Sequence, residues 1–261
     1  MSDRLSAPVL EVTREGGVAT VRIDRPPANA VDPAVIAEFL AVLPPLVSDP
    51  EVRCLVITGT GRFFIAGADI AVMRDLSAAN HAEMRRWIDV QRILELAPKP
   101  VVAAMNGHAL GGGAELSLAC DLRILSATAS FGFPEIALGL FPGAGGSQRL
   151  PRLVGPHLAK RLMIEGSRLT PQRALELGLV DLVVDSDEFD GVVAEEARRL
   201  AAKPTAAIGL LKRVVDEGFG LPVEQALAHE EKGVHELIRT DDAAEGLQAF
   251  LDKRPPEFTG R

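Results

Sequence analysis

With 261 residues, 47% of them hydrophobic and 25% charged, the chain has the make-up of an ordinary globular protein large enough to bury a full core. Its net charge of −8 argues against nucleic acid as a partner, because a phosphate backbone needs a basic face. The opening MSDRLSAP has no signal or transit pattern, and the apolar tract 101–120 is interrupted by Asn106, His108 and Glu115, so a cytoplasmic protein with no membrane partner is expected.

In chain order, residues 18–24 (VATVRID) and 52–59 (VRCLVITG) read as strands, rich in β-branched side chains and closed by turn formers. Between them, 33–47 has a helical pattern, with Asp32 as N-cap and Pro33 at the first helical position. Residues 81–96 read as one amphipathic helix stopped by Pro98 and Pro100. A buried strand at 101–105 ends in an Asn-Gly turn, and another strand is expected at 121–126. From about residue 155 the pattern turns helical: 155–165, 171–177, 190–202, 204–217, 222–238 and 241–251, interrupted by one strand-like run at 179–184. Strands alternating with helices, followed by a helical tail, predict an α/β core with a helical C-terminal part. Neither a long linker nor a sequence repeat divides it. Cys54 and Cys120 fit buried small hydrophobes of a reducing compartment.

Between Lys99 and Arg149 the only acids and bases, histidine aside, are Glu115, Asp121, Arg123 and Glu135. Asp121 and Arg123 bracket a strand start, where an ion pair or a cap accounts for both. Glu115 and Glu135 stand alone in uncharged surroundings. A glutamate taken from water without a partner costs several kcal/mol or takes up a proton. Both could emerge to solvent at element ends. Two of them, each beside a glycine-rich turn, favour a shared pocket, and perturbed carboxylates in clefts are catalytic candidates.

The run Gly111-Gly112-Gly113 before a helix lets backbone N–H groups approach a ligand without an intervening Cβ. Phosphate loops are absent: no Walker pattern occurs, and Gly143-Ala144-Gly145-Gly146-Ser147-Gln148 fails the last position of a dinucleotide fingerprint. There is no nucleophile-elbow motif, and the five histidines form no ligand-spaced cluster, so no metal site is expected. An oxyanion hole beside two carboxylates remains, which suits proton transfer at the α-carbon of a carbonyl compound. The segment 62–70 (RFFIAGADI) is a candidate source of a second amide, though a plain loop explains it as well.

The segments PPANAV (26–31), FFIAGADI (63–70), NGHALGGGAELSLACD (106–121), FGFPEIALGLFPGAGGSQRLPRLVG (131–155) and DKRPPEF (252–258) together resemble the enoyl-CoA hydratase/isomerase, or crotonase, family, in order and over nearly the whole chain. The resemblance implies a spiral of ββα units over 1–190 carrying an acyl-CoA site. It also implies a helical region over 191–261 that assembles a trimer or a dimer of trimers. By position it makes Ala68 and Gly112 the two N–H donors to the thioester oxygen, Glu115 and Glu135 the two acids, and Gly143 a holder of the catalytic water. Ala66, Ala68 and Ile70 match the stretch against which the adenine of CoA packs. With both acids present, the implied reaction is hydration of a trans-2-enoyl-CoA, Glu115 acting as base and Glu135 as proton donor to the α-carbon. The alternatives are Δ3,Δ2-enoyl-CoA isomerisation or a non-catalytic acyl-CoA-binding role. No cofactor is implied, CoA entering as part of the substrate. Ala71 stands where many relatives carry lysine, so Arg25, Arg62, Lys253 and Arg254 become candidates for the CoA phosphates. Phe64, Met73, Trp87 and Phe141 are candidates for shaping the acyl tunnel.

Overall fold

The computed structural model describes residues 8–261. A hairpin of β1 (Leu10–Glu15) and β2 (Val18–Ile23) leads to α1 (Pro33–Ser48), then β3 (Cys54–Gly59), β4 (Phe63–Ile65), α2 (Ile70–Met73), α3 (Ala78–Arg85) and α4 (Trp87–Glu95). The next turns are β5 (Val101–Met105), β6 (His108–Leu110) and α5 (Gly112–Ser117), then β7 (Leu122–Ser126), β8 (Phe131–Gly132) and a 3-10 turn at Pro134–Leu138. There follow α6 (Gly146–Val154), α7 (Pro156–Glu165), β9 (Arg168–Leu169), α8 (Pro171–Glu176) and β10 (Leu182–Val184). Helices α9 (Phe189–Ala201), α10 (Thr205–Gly218), α11 (Val223–Leu237) and α12 (Asp241–Leu251) complete the chain.

The strands form two sheets, one ordered β1-β2-β3-β5-β7-β10 and one ordered β4-β6-β8-β9. From β2 to β10 the large sheet is parallel, as is the small one from β4 to β8. Each of the pairs β3/β4, β5/β6 and β7/β8 therefore places its first strand in the large sheet and its second in the small one. That is the α/β spiral implied by the resemblance. Asn106 ties two corners together, its Oδ1 accepting from Gly59 N at 2.9 Å and its Nδ2 donating to Gly61 O at 3.0 Å.

Strand periodicity sorts the core. Leu55 and Ile57 face the main cluster with Phe39, Val90 and Leu94, whereas Cys54 and Val56 face the other side, which α9 covers with Phe189, Val193, Ala197 and Ala201. Burial raises both thiols, Cys54 and Cys120, to about 12. Asp32 caps α1 as expected, accepting from Val35 N at 2.9 Å.

Three sequence expectations change. The helix expected at 81–96 is two helices, broken at Arg86, whose side chain supplies no cap. The run 179–184 is a strand only at Leu182–Val184, with Leu179 and Val180 in the core. Asp121 and Arg123 do not pair: Asp121 Oδ2 accepts from Val101 N and Lys212 Nζ, both at 2.8 Å. Arg123 donates instead to Cys120 O and Leu179 O, each at 2.9 Å. Helix α9 packs on the large sheet, and the helices that follow it are α10–α12. Their anchors are Lys212 on Asp121 and a C-terminal segment whose Phe258 O accepts from Arg53 at 2.6 Å. Among the described residues no helix is long and apolar enough to cross a membrane.

Candidate active site

Three neighbouring strands of the small sheet, β4, β6 and β8, deliver the candidate residues from their C-terminal ends. After β4, the bridge between Val31 and Ala68 fixes the backbone: Val31 N donates to Gly67 O at 2.8 Å and Asp69 N to Val31 O at 2.7 Å. In a trans peptide the N–H points opposite to the preceding C=O. The Ala68 N–H is thus turned away from Val31. After β6, Gly111 caps α5 at φ 52°, a conformation that glycine adopts without strain, and its O accepts from Glu115 N at 2.9 Å. The same peptide rule turns the Gly112 N–H out of the helix. A methyl placed on Gly67 would come within 3.7 Å of the Gly112 nitrogen, so the two turns are in contact. Neither N–H finds an acceptor among the described residues. Both are free for a ligand oxygen.

Glu115, on α5, is buried, and its Oε1 accepts from Ala144 N at 2.8 Å and Gly146 N at 2.9 Å. Burial raises its pKa, opposed by those two N–H groups and by the charge of Arg149. Glu135, at the second position of the 3-10 turn, reaches across so that its Oε1 would lie 3.0 Å from a methyl on Gly111. Its Oε2 is sealed from solvent and has no hydrogen-bond partner among the described residues. Desolvation pushes Glu135 up to about 7, its own backbone N–H opposing and the Glu115 charge adding to the rise. The two carboxylates therefore lie near enough for their charges to interact and differ in support. Burial raises both, and only Glu115 has a pair of N–H groups from another segment opposing the rise.

Other sequence candidates are placed as follows. Gly143 is exposed in the loop preceding Ala144, while Ala66 and Ala68 are half-buried and Ile70 lies exposed at the rim after β4. Phe64 is core, not tunnel. Trp87 is also buried, edge-on to Phe39 at 5.4 Å, and its indole N–H donates to Gly112 O at 3.0 Å. Met73 is half-buried and Phe141 exposed. Of the candidate phosphate holders, Arg25 is engaged by Asp32 at 2.6 Å and Asp69 at 3.2 Å, and Arg254 by Glu245 at 2.7 Å. Sequence reasoning missed Ala144 and Gly146 as carboxylate holders. The GAGG run is the available signal, although its spacing points to a phosphate loop and the resemblance to a water-holding Gly143 rather than to a grip on Glu115. Among the described residues no group of three or more His, Cys, Asp or Glu side chains could hold a metal ion.

Two free amides facing a pair of unequal carboxylates can be compared with known proteins. The profile of the family described as enoyl-CoA hydratase/isomerase matches residues 13–261. The chain belongs to that family. Among its relatives is a crotonyl-CoA hydratase of Syntrophomonas wolfei, 40% identical over 251 residues that cover 95% of this chain and 96% of that protein. A short-chain-enoyl-CoA hydratase of Clostridium acetobutylicum is 40% identical over 250 residues, covering 94% and 95%. The crystal structure of an enoyl-CoA hydratase from Geobacillus kaustophilus superposes with a TM-score of 0.93 at 34% identity, covering 98% of each chain. The crotonase fold is thereby that of this chain.

Proposed function

We propose that the protein is an enoyl-CoA hydratase, adding water across the trans-2 double bond of an enoyl-CoA thioester to give a 3-hydroxyacyl-CoA. The observation that carries this reading is the pair Glu115/Glu135, the first buried on two N–H groups and the second half-buried with one oxygen sealed, near the free N–H groups of Ala68 and Gly112. The thioester oxygen sits on those two N–H groups. Glu115 takes a proton from water as its oxygen bonds the β-carbon, and the electrons of the double bond move onto the α-carbon and thioester oxygen. Negative charge growing there is stabilised by donors already in place. Glu135, protonated, gives its proton to the α-carbon, and passage of the proton gained by Glu115 to Glu135 restores the starting pair, so one water is added and nothing is oxidised. Gly143 N–H, adjoining the loop that holds Glu115, is the proposed further donor to that water. The adenine of CoA is assigned to the stretch Ala66, Ala68 and Ile70. The proposed reaction balances with water and thioester alone, and CoA is needed only as part of the substrate.

A panel of trans-2-enoyl-CoA thioesters from four carbons upward, followed by loss of the conjugated thioester absorbance with a chelator present, tests the reading. Turnover of at least one member is expected. Binding of the whole panel without turnover defeats it in favour of a non-catalytic acyl-CoA-binding role. A trimer or dimer of trimers is the proposed assembly, supported by exposed apolar residues on α10–α12 such as Leu211, Phe219, Leu227, Ile238 and Phe250. Light scattering that returns a monomer mass at micromolar concentration would exclude it. The free, buried thiols suit the cytoplasm proposed as its setting.

A further inference from the structure

Trp87, Gln91 and Glu95 are spaced by four along α4 and so share one face of that helix. Trp87 holds Gly112 O. The other two hold a residue of a different helix: Arg149 of α6 donates through Nη1 to Gln91 Oε1 at 2.7 Å, and through Nε and Nη2 to the two Glu95 oxygens at 3.1 Å each. A two-pronged guanidinium–carboxylate pair has a defined geometry that a lysine cannot reproduce. The guanidinium packs directly beneath Gly145. A methyl on Gly145 would stand 2.0 Å from Arg149 Nη1 and 3.3 Å from Gln91 Oε1. Gly145, at φ 106°, is the residue between Ala144 and Gly146, whose N–H groups grip Glu115 Oε1.

We propose that Arg149, clamped by Gln91 and Glu95, is a positioning residue that shapes the Ala144–Gly146 loop and thereby aims the Glu115 carboxylate. This rests on the hydratase reading for its consequence in catalysis, and on geometry for its effect on Glu115. One face of α4 then sets both halves of the site, the Gly112 turn through Trp87 and the Glu115 loop through Arg149.

A plain tie between α4 and α6 is the simpler account, and Gln91 speaks against it. This side chain is fully buried and its Nε2 has no hydrogen-bond partner among the described residues. A buried donor left unmade costs free energy that an apolar residue at position 91 would avoid. Its other atom, Oε1, is what holds Arg149 in place. The surrounding charges come from several elements. Glu115 faces Arg149 from α6 and Glu135 from the 3-10 turn. Glu95 is also bonded to Arg92 of α4, and Arg85 of α3, Arg152 of α6, Arg123 of β7 and Asp216 of α10 line the cavity beyond, about 900 Å³ in volume. Arg149 is thus the cation that acts on the Glu115 carboxylate, and it favours the ionised form.

The test compares Arg149→Gln, Arg149→Lys, Gln91→Leu and Glu95→Gln, with Arg152→Gln as a control on the same helix and the same cavity wall. Steady-state constants are measured across pH, and Glu115 is titrated without substrate by carboxyl carbon NMR, assigned against Glu115→Gln. Arg149→Gln should lower kcat about ten- to a hundredfold with KM within threefold, the scale of a small misplacement at a reacting group. Its Glu115 should titrate at higher pH, moving the acid limb of the rate profile the same way. Arg149→Lys keeps the charge and loses the fork, so kcat should fall while the limb stays. Gln91→Leu and Glu95→Gln should fall between the wild type and Arg149→Gln, and Arg152→Gln should match the wild type. A folded Arg149→Gln with wild-type Glu115 titration, or with kcat within twofold, overturns the proposal, whatever its melting temperature. If Arg149→Gln does not fold, Glu95→Gln is read by the same criteria. A wild-type protein that hydrates nothing defeats the hydratase reading alone, because the Glu115 titration needs no substrate.

Discussion

Glu115 and Glu135 lie near enough for their charges to interact, yet the regions that present them are built differently. Glu115 sits on a buried helical turn, and a second segment of chain wraps its Oε1 with two backbone N–H groups. Glu135 projects from a single 3-10 turn with one oxygen sealed and unpartnered. Backbone donors favour a carboxylate, and an unpaired buried oxygen favours the acid. The comparison teaches that the roles proposed for the two acids rest on what the rest of the chain brings to each side chain. Both side chains are glutamate, so residue type alone leaves the roles open.

The largest effect should come from removing the proton chemistry itself. Glu115→Gln and Glu135→Gln should each lower kcat by about 10²–10⁴-fold, as general acid–base groups do. KM should change little, and the double variant should be far less than multiplicatively worse, because the two groups act on one water. If either single variant retains near-full hydration, the paired-acid mechanism is wrong.

A smaller change would attack only the wrapping. Gly146→Ala places a methyl 2.9 Å from Glu115 Oε1 and 2.8 Å from Pro142 Cβ, with no backbone strain at that position. It should misplace Glu115 and cost about tenfold to a hundredfold in kcat, leaving the Glu135 titration in place. A loss confined to KM would place the role of this loop in binding.

The smallest effect is one of stability. Folded Glu135 keeps its proton to about pH 7, whereas the unfolded chain releases it near the ordinary value of 4.5. Between those values the native state binds more protons, so this group's contribution falls as pH rises and levels off above about 7. Glu135→Gln should therefore stabilise the protein relative to wild type at pH 8 more than at pH 4.5, by at most about 3 kcal/mol. Denaturant midpoints at the two values measure it. A difference that grows toward low pH would mean that Glu135 is ionised in the folded protein.

Much of this was legible in the sequence where side chains carry a period or a charge. The helices after residue 155 announce themselves by amphipathic spacing, and Asp32-Pro33 marks the start of α1. Glu115 and Glu135 stand out as lone charges in an uncharged stretch. The small sheet was not legible, because β4, β6 and β8 have only three, three and two residues, too few to show an alternation. The break at Arg86 was hidden for a similar reason: no proline, glycine or side-chain cap marks it. The holders of Glu115 are backbone N–H groups, which every residue but proline possesses and none advertises. The occupation of Arg25 by Asp32 and Asp69 depends on chain segments 44 residues apart, which local spacing cannot foretell.

The short strands β4, β6 and β8 carry a further consequence. They are adjacent and parallel, and they end in Ala68, in Gly112 with Glu115, and in Glu135 respectively. Neighbouring strands lie about 4.8 Å apart, so the sheet is a ruler whose divisions space the backbones from which the three groups leave, and Glu135 reaches back across them until its Oε1 would lie 3.0 Å from a methyl on Gly111. Lengthening the loops that follow any one strand would leave the divisions unchanged. The chemistry at one mark can therefore be exchanged while the other two keep their positions.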